Sequence, residues 1–334
     1  MNIIIPMAGK GKRMRPHTLT TPKPLLKIAG KEIVKILCEE IVKTYSGKIE
    51  NIGFVIGDFG QEVEEELIKV AQELGSNGKI YHQDQALGTA HAIYCAQEIL
   101  EGNTIIAFAD TLFDAGFKMD LNQDGIIWTY SVDDPSQFGV VKKRDDGTIE
   151  KFVEKPTEFV SKEAIIGIYY FKQGQELRKE IKYLLDNNIM KSNEYQLTDA
   201  LDNMLNKGFK FTTQQVKEWL DCGNKKATVY TNQRILDLRQ HSSLNIKNST
   251  FNNSIIISPC FIDDDVVLDN SIVGPYVSIS KNTKLTDVIV KNSIIGENSN
   301  ISDIIVKDSI IGNSVSIKSE RYDFSVGDFN EIEL

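Results

Sequence analysis

The chain has 334 residues, 41% hydrophobic and 25% charged, which is the ordinary globular range and excludes a disordered, collagen-like or coiled-coil chain. No apolar run approaches the ~20 residues of a membrane helix, and residues 1–6 lack the basic start and long apolar stretch of a secretion signal, so the cytoplasm is the expected compartment and no membrane partner is expected. The net charge of −9, from 38 basic and 47 acidic residues, argues against a nucleic-acid partner but not against one small anion held by a local basic loop.

Residues 2–6 form a short apolar run that opens into a Gly/Lys loop. Residues 32–45 place Ile33, Ile36, Leu37, Ile41 and Tyr45 at helical spacing. Next come a strand over 52–56, an acidic-faced helix over 61–74, a short strand over 79–82 and a helix over 89–100. Residues 104–109 are a further apolar strand ending on Asp110. This alternation predicts a parallel sheet with helices on both faces. Farther on, 125–132, 140–143, 165–171 and 209–216 read as strands, and 174–185, 197–205 and 225–238 as helices. Turn chemistry stands at Asp133-Asp134-Pro135-Ser136 and Asp145-Asp146-Gly147. No Pro- or Gly-rich linker intervenes, so residues 1–240 are expected to form one α/β domain. Cys38, Cys95, Cys222 and Cys260 are far apart and make no C-x-x-C pair, as expected of reduced thiols.

Composition changes near Ser242, where Ile, Val, Asn, Ser and Asp take over and helical periodicity ends. The stretch from Leu285 to Gly296 is nearly repeated from Ile301 to Gly312, and Asn270-Ser271-Ile272-Val273-Gly274 and Asn253-Ser254-Ile255-Ile256-Ile257 are earlier, shorter copies. Short β runs with Asn/Gly corners at such a period predict a β-solenoid over 241–320, each coil burying its Ile and Val against the next. The spacing resembles the left-handed parallel β-helix of hexapeptide repeats. Residues 321–334 form a charged, aromatic tail.

Gly9 and Gly11 stand one residue apart in the first loop, amid Lys10, Lys12, Arg13 and Arg15. Glycines let a backbone turn sharply and expose its N–H groups, and the cations add a positive patch suited to phosphate. The same residues also read as a solvated basic turn. A Walker loop is absent, and a dinucleotide loop would need a glycine where Met14 stands. Lys23 follows between Pro22 and Pro24, which stiffen its segment, so it could hold a transferring phosphoryl group at low entropic cost.

Gly9, Gly11, Arg13, Met14 and Pro16, with Pro22-Lys23-Pro24-Leu25, resemble the N-terminal signature of the sugar-1-phosphate nucleotidylyltransferases, or sugar-nucleotide pyrophosphorylases. In order along the chain, the same resemblance runs through Gln83-Asp84-Gln85-Ala86-Leu87-Gly88-Thr89-Ala90, Phe108-Ala109-Asp110-Thr111-Leu112, Phe138-Gly139-Val140-Val141, Val153-Glu154-Lys155-Pro156, Ile166-Gly167-Ile168-Tyr169, Glu194-Tyr195-Gln196-Leu197-Thr198-Asp199 and Trp219-Leu220-Asp221-Cys222-Gly223. It covers roughly residues 1–240, and the glucose-1-phosphate thymidylyltransferases are the most similar.

The resemblance implies a Rossmann-like nucleotidyltransferase domain with a mainly parallel mixed sheet, followed by a C-terminal left-handed β-helix. It implies nucleotidylyl transfer from dTTP or UTP to a hexose-1-phosphate, glucose-1-phosphate being favoured. By the same resemblance Arg13 and Lys23 are catalytic, and Ala8, Gly9, Gly11, Gln83, Gly88 and Thr89 bind the nucleotide. Gly139, Glu154, Lys155 and Gly167 bind the sugar phosphate, and Asp110 and Asp221 hold Mg²⁺. A mannose-1-phosphate guanylyltransferase is the alternative within the class, and a catalytically silent sugar-nucleotide-binding scaffold is the alternative outside it. No histidine follows His241, which argues against acyl transfer by the β-helix. Assembly into a homo-oligomer is its expected role, with simple capping as the other reading.

Overall fold

In a computed structural model of the chain, describing residues 1–238, 248–320 and 325–326, Ile3, Ile4 and Ile5 are fully buried in the first strand, β1 (Asn2–Pro6). Three successive buried isoleucines suit a strand covered on both faces. Ile4 faces Gly53 on one side and Ile106 on the other, both in parallel ladders. Those neighbours are β2 (Asn51–Ile56) and β4 (Thr104–Ala107); β3 (Asn77–His82) pairs beyond β2, also parallel. The intervening helices are α1 (Ile33–Thr44), α2 (Gln61–Glu73) and α3 (Thr89–Cys95). In α1 Ile33, Ile36, Leu37 and Ile41 of the predicted stripe are wholly buried, while Tyr45 lies just past the helix end and is half-buried. The helix expected over 89–100 is shorter: α3 stops at Cys95, and a separate 3₁₀ turn covers Gln97–Ile99.

Some strands were not foreseen, and others extend what was. β5 (Thr111–Asp114), β8 (Ile149–Glu154) and β11 (Glu218–Asp221) are new, and β7 (Gly139–Lys143) begins one residue early. With β6 (Gly125–Ser131), β9 (Glu163–Phe171) and β10 (Phe211–Gln215), the main sheet runs β8-β7-β9-β4-β1-β2-β3, with β6 joining β9 to β10. Pairs from β3 to β4 are parallel, while β9 is antiparallel to β4, β6 and β7. The helices α4 (Gly174–Asp186) and α5 (Leu197–Asn206) complete this part.

β5 and β11 form their own antiparallel ladder, Thr111 opposite Asp221 and Leu112 opposite Leu220. Aromatic contacts seat it. Phe113 meets the fully buried Trp128 edge to face at 4.9 Å, and Trp219 meets Phe138 at 5.0 Å.

Two compact units result: Met1–Lys27 with Lys31–Asn224, and Ile28–Gly30 with Lys225–Leu334. The helix Lys225–Leu238, foreseen in its full extent, thus groups with the second unit. The expected boundary at residues 240 and 241 lies outside the described residues, as do His241 and all of the expected tail except residues 325–326.

The second unit contains the expected stack of parallel coils. Thr250 pairs with Val267 and Val267 with Lys284; Lys284 pairs with Asn300 and Asn300 with Ser316. The repeat is therefore 17 residues and then 16. Each coil turns at residues of positive φ, in columns such as Asn253, Asn270, Asp287 and Asp303, or Asp265, Asn282, Asn298 and Ser314. Asn and Asp tolerate the left-handed region better than other residues with a Cβ. Their side chains also bond along the columns: Asn282 Nδ2 donates to Asn298 Oδ1 at 3.1 Å, and Asn292 Nδ2 to Asp308 Oδ1 at 2.6 Å. Inside, Val266, Leu268, Val273, Leu285, Val288, Val290 and Ile301 make an apolar core. Among the described residues, no helix is long and apolar enough to cross a membrane.

Candidate active site

Strands β1, β3 and β4 end at the same edge of the sheet, and their following loops carry the basic loop, Gln83 and Asp110 respectively. Ligands of open α/β sheets bind outside the carboxyl ends of strands, where the order of strands reverses. Here that place is between β1 and β4, and it holds a cavity of 460 Å³. Ala8, Gly9, Gly11, Arg13, Lys23, Gln83, Gly88, Thr89 and Asp110 all line it. Nine of the fourteen residues expected in the site are therefore brought together.

The basic loop turns at Gly11, whose φ is +55°, and Thr18 Oγ1 braces it by donating to the Gly11 carbonyl at 2.8 Å. A Cβ at Gly11 would come within 3.2 Å of the Lys23 Cβ, so the bare backbone lets loop and lysine approach. Lys23 is almost buried, and its ammonium stands 3.2 Å from Asp110 Oδ2. A second cavity of 1070 Å³ shares Gly9, Gly11, Lys12, Lys23 and Gln83 with the first.

Asp221 does not line the first cavity, yet it belongs to the same charge cluster. Burial is the largest cause pushing its carboxyl above the usual range, and the nearby Asp110 pushes the same way. The Gly223 N–H, Lys23 and Arg13 pull in the opposite direction. The Gly223 N–H donates to Asp221 Oδ1 at 2.8 Å. Pairing of β5 with β11 makes this meeting: the Cys222 N–H donates to the Asp110 carbonyl at 3.1 Å, which sets the two aspartates side by side. Asp110 itself sits in the turn between β4 and β5, three residues past the strand end that had been expected to carry it.

None of the four expected sugar-phosphate residues lines the first cavity. Gly139 faces Glu154 across the β7–β8 ladder, and a Cβ on Gly139 would lie 3.0 Å from Glu154 Oε2. Lys155 follows with a φ of +44°, its N–H donating to the Phe138 carbonyl at 3.1 Å. Glu154 and Lys155 are exposed. Gly167, at φ +82°, accepts the Phe108 N–H at 3.0 Å, and Phe108 lines the cavity. Burial pushes the Tyr169 phenol up, as does the charge of Glu154.

Gly88 has a structural duty that its motif did not disclose. Its φ is +101°, and a Cβ there would meet the Tyr195 carbonyl oxygen at 2.5 Å. Tyr195 is locked to this segment, its N–H donating to the Leu87 carbonyl at 2.8 Å and its own carbonyl accepting from Ala90 at 3.0 Å. Thr89 Oγ1 accepts the Leu197 N–H at 3.0 Å. Glu194 consequently reaches the cavity wall. It lies in a fragment already matched by resemblance but was not among the expected site residues; Phe108 and Lys12 are likewise additional lining residues. Only packing over more than 100 residues of sequence brings Glu194 to Gly88. Among the described residues, no group of three or more His, Cys, Asp or Glu could hold a metal by itself.

A glycine loop with flanking cations, at the switch point of a mixed α/β sheet and opposite two carboxylates, defines a phosphate-handling α/β protein. The family model for nucleotidyl transferases matches residues 2–237, and the chain belongs to that family. This agrees with the resemblance read from the motifs. The bifunctional protein GlmU of Methanococcus maripaludis is 30% identical over 242 residues, covering 71% of this chain and 55% of that protein, so the chain spans about half its length. Glucose-1-phosphate thymidylyltransferase of Streptomyces antibioticus is 25% identical over 319 residues, covering 88% of this chain and 87% of that protein. A solved structure of UDP-glucose pyrophosphorylase complexed with UDP-glucose shares the fold at a TM-score of 0.58 and 22% identity, over 71% of this chain and 99% of that one.

Proposed function

We propose that this chain is a sugar-1-phosphate nucleotidylyltransferase, taking dTTP or UTP and a hexose-1-phosphate, glucose-1-phosphate being favoured. The observation that carries this reading is the near-buried Lys23, held 3.2 Å from Asp110 on the wall of a cavity that the glycine loop and Gln83 also line. A phosphate oxygen of the sugar-1-phosphate attacks the α-phosphorus of the triphosphate. The bond from that phosphorus to its bridging oxygen breaks, and pyrophosphate leaves with the electron pair. The nucleophile is already anionic, so the site needs positioning and charge neutralisation rather than a strong base.

Each residue has a part in that scheme. The backbone of Ala8, Gly9 and Gly11 cradles the triphosphate, and Arg13 neutralises the leaving pyrophosphate. Lys23 holds the α-phosphate against the incoming phosphate; its tether to Asp110 limits the freedom lost on binding. Gln83 reads the base, with Gly88 and Thr89 beside it. Glu154 accepts from sugar hydroxyls, Lys155 meets the sugar phosphate, and Gly139 and Gly167 leave room for the ring. Asp110 and Asp221 fit Mg²⁺: they are paired hard-oxygen donors, and Asp221 carries a burial and repulsion cost that a divalent cation relieves. When bound, the ion supplies charge neutralisation on the phosphates.

The thymidylyltransferase relative supports a pyrimidine nucleotide. Pyrophosphate release with Mg²⁺, each nucleoside triphosphate in turn and a panel of sugar-1-phosphates tests the reading. No release with any pair would sink the enzyme and leave a silent sugar-nucleotide-binding scaffold. Release with GTP and mannose-1-phosphate alone would make the chain a guanylyltransferase.

We also propose that the solenoid self-associates. Ile255, Ile289 and Ile305 are exposed by 58%, 45% and 75%, and with the half-buried Ile272 between the first two they form one in-register column. Light scattering on the native chain and on Ile289→Lys tests it; an unchanged mass would remove this face from assembly.

A further inference from the structure

We propose that His91 is a positioning residue that turns the Gln83 amide so that its oxygen, not its nitrogen, is offered to the base, and that the pocket thereby selects keto bases over amino bases. This rests on the reading of Gln83 as the base-contacting residue.

A glutamine amide has two donor hydrogens on Nε2 and only acceptor sites on Oε1. Gln83 Nε2 lies 3.1 Å from the Gly88 carbonyl oxygen. That oxygen can only accept, so the atom facing it must be the donor nitrogen. The same Nε2 lies 3.1 Å from His91 Nδ1. With one hydrogen on Gly88, the second reaches His91, whose Nδ1 must then be the bare acceptor. Two further observations agree. Burial lowers the His91 pKa, which keeps the ring neutral. Cys95 Sγ stands 3.9 Å from the same nitrogen, and burial keeps its thiol protonated, so no thiolate there calls for a hydrogen on Nδ1.

Both amide hydrogens are thus spent inside the protein. Oε1 has no partner among the described residues, and Gln83 lines the cavity. The Gly88 N–H is also unpaired among the described residues, and Gly88 lines the same cavity. The pocket therefore offers one acceptor and one donor. Uracil and thymine present a matching imino N–H beside a carbonyl, and guanine does the same. Cytosine and adenine present a bare ring nitrogen beside an amino group, which reverses both partners. A reversed pair leaves groups unsatisfied in a partly dry site, and such mismatches discriminate more sharply than apolar contacts do. His91 itself does not line the cavity, so it acts only through Gln83.

Equilibrium titration of UTP and CTP with Mg²⁺, by calorimetry, tests this without relying on turnover. The native chain is expected to prefer UTP by at least tenfold. His91→Leu, which has no acceptor, should collapse that ratio at least tenfold, while His91→Asn, which restores one, should recover most of it. His91→Ala serves where the leucine variant does not fold. Gln83→Ala is the control for the underlying reading. A collapsed ratio in Gln83→Ala with an unchanged ratio in His91→Leu or His91→Ala overturns the role of His91 alone. An unchanged ratio in Gln83→Ala, or no nucleotide binding at all, overturns the base-reading role of Gln83 and this inference with it.

Discussion

The two units hold themselves together in opposite ways. In the solenoid, each residue meets its counterpart one coil away, 16 or 17 residues along the chain. In the first unit, the groups that matter meet across far longer separations: Lys23 with Asp110, Asp110 with Asp221, Gly88 with Tyr195. A repeated local contact makes a robust wall that can be altered one coil at a time. A distant contact concentrates charge where local structure would never place it, and that is where chemistry is done.

The largest effect is expected at the contact between Lys23 and Asp110. Lys23→Ala should lower the rate of pyrophosphate release by roughly 10²- to 10³-fold, as removal of one preorganised charge contact does elsewhere, with the far-UV spectrum unchanged. Asp221→Asn should also remove most activity, yet raise the thermal midpoint in metal-free buffer at neutral pH. Its carboxyl is pushed up on folding, so the ionised form destabilises the fold. The gap over the native protein should close as pH falls through the raised value towards the ordinary carboxylate range, where both side chains are neutral.

Gly88→Ala should cost about 2 kcal/mol or more, since it combines a positive φ with a 2.5 Å approach to Tyr195, and should weaken nucleotide binding as well. In the solenoid, Ile301→Ala removes a fully buried side chain and should cost about 2–4 kcal/mol in denaturant unfolding of that unit, with turnover unchanged. The smallest effect belongs to a corner. Asn292→Ala, at a φ of +45° and with the bond to Asp308 lost, should cost about 1–2 kcal/mol and nothing in activity. A large loss of turnover from either solenoid variant would overturn this expectation.

Much of this was legible along the chain. β1 and the helix Lys225–Leu238 stand at the residues their apolar pattern indicated, because pattern and burial are one property there. The coils announced themselves by repetition. Two of the strands that shape the site did not: β5 and β11 are four residues each, and a four-residue strand has no periodicity of its own. What makes them strands is the partner, more than 100 residues away, and the aromatic seats of Phe113 and Trp219. The helix over 89–100 was read too long because its apolar spacing continues through the 3₁₀ turn after Cys95.

The sequence by itself determined the chemistry available: a glycine loop with its cations, a stiffened lysine, scattered aspartates and a repeating β pattern. It did so because charge, backbone freedom and local period are properties of neighbouring residues. Only the tertiary structure decided which aspartates meet, that Tyr195 fills the space Gly88 leaves, and that His91 sets the orientation of Gln83. The physical reason is range. Strand pairing and side-chain packing join residues whose separation along the chain carries no signal, and the hydrogen-bond partner of an amide is fixed by whichever groups the fold happens to bring within 3.1 Å of it.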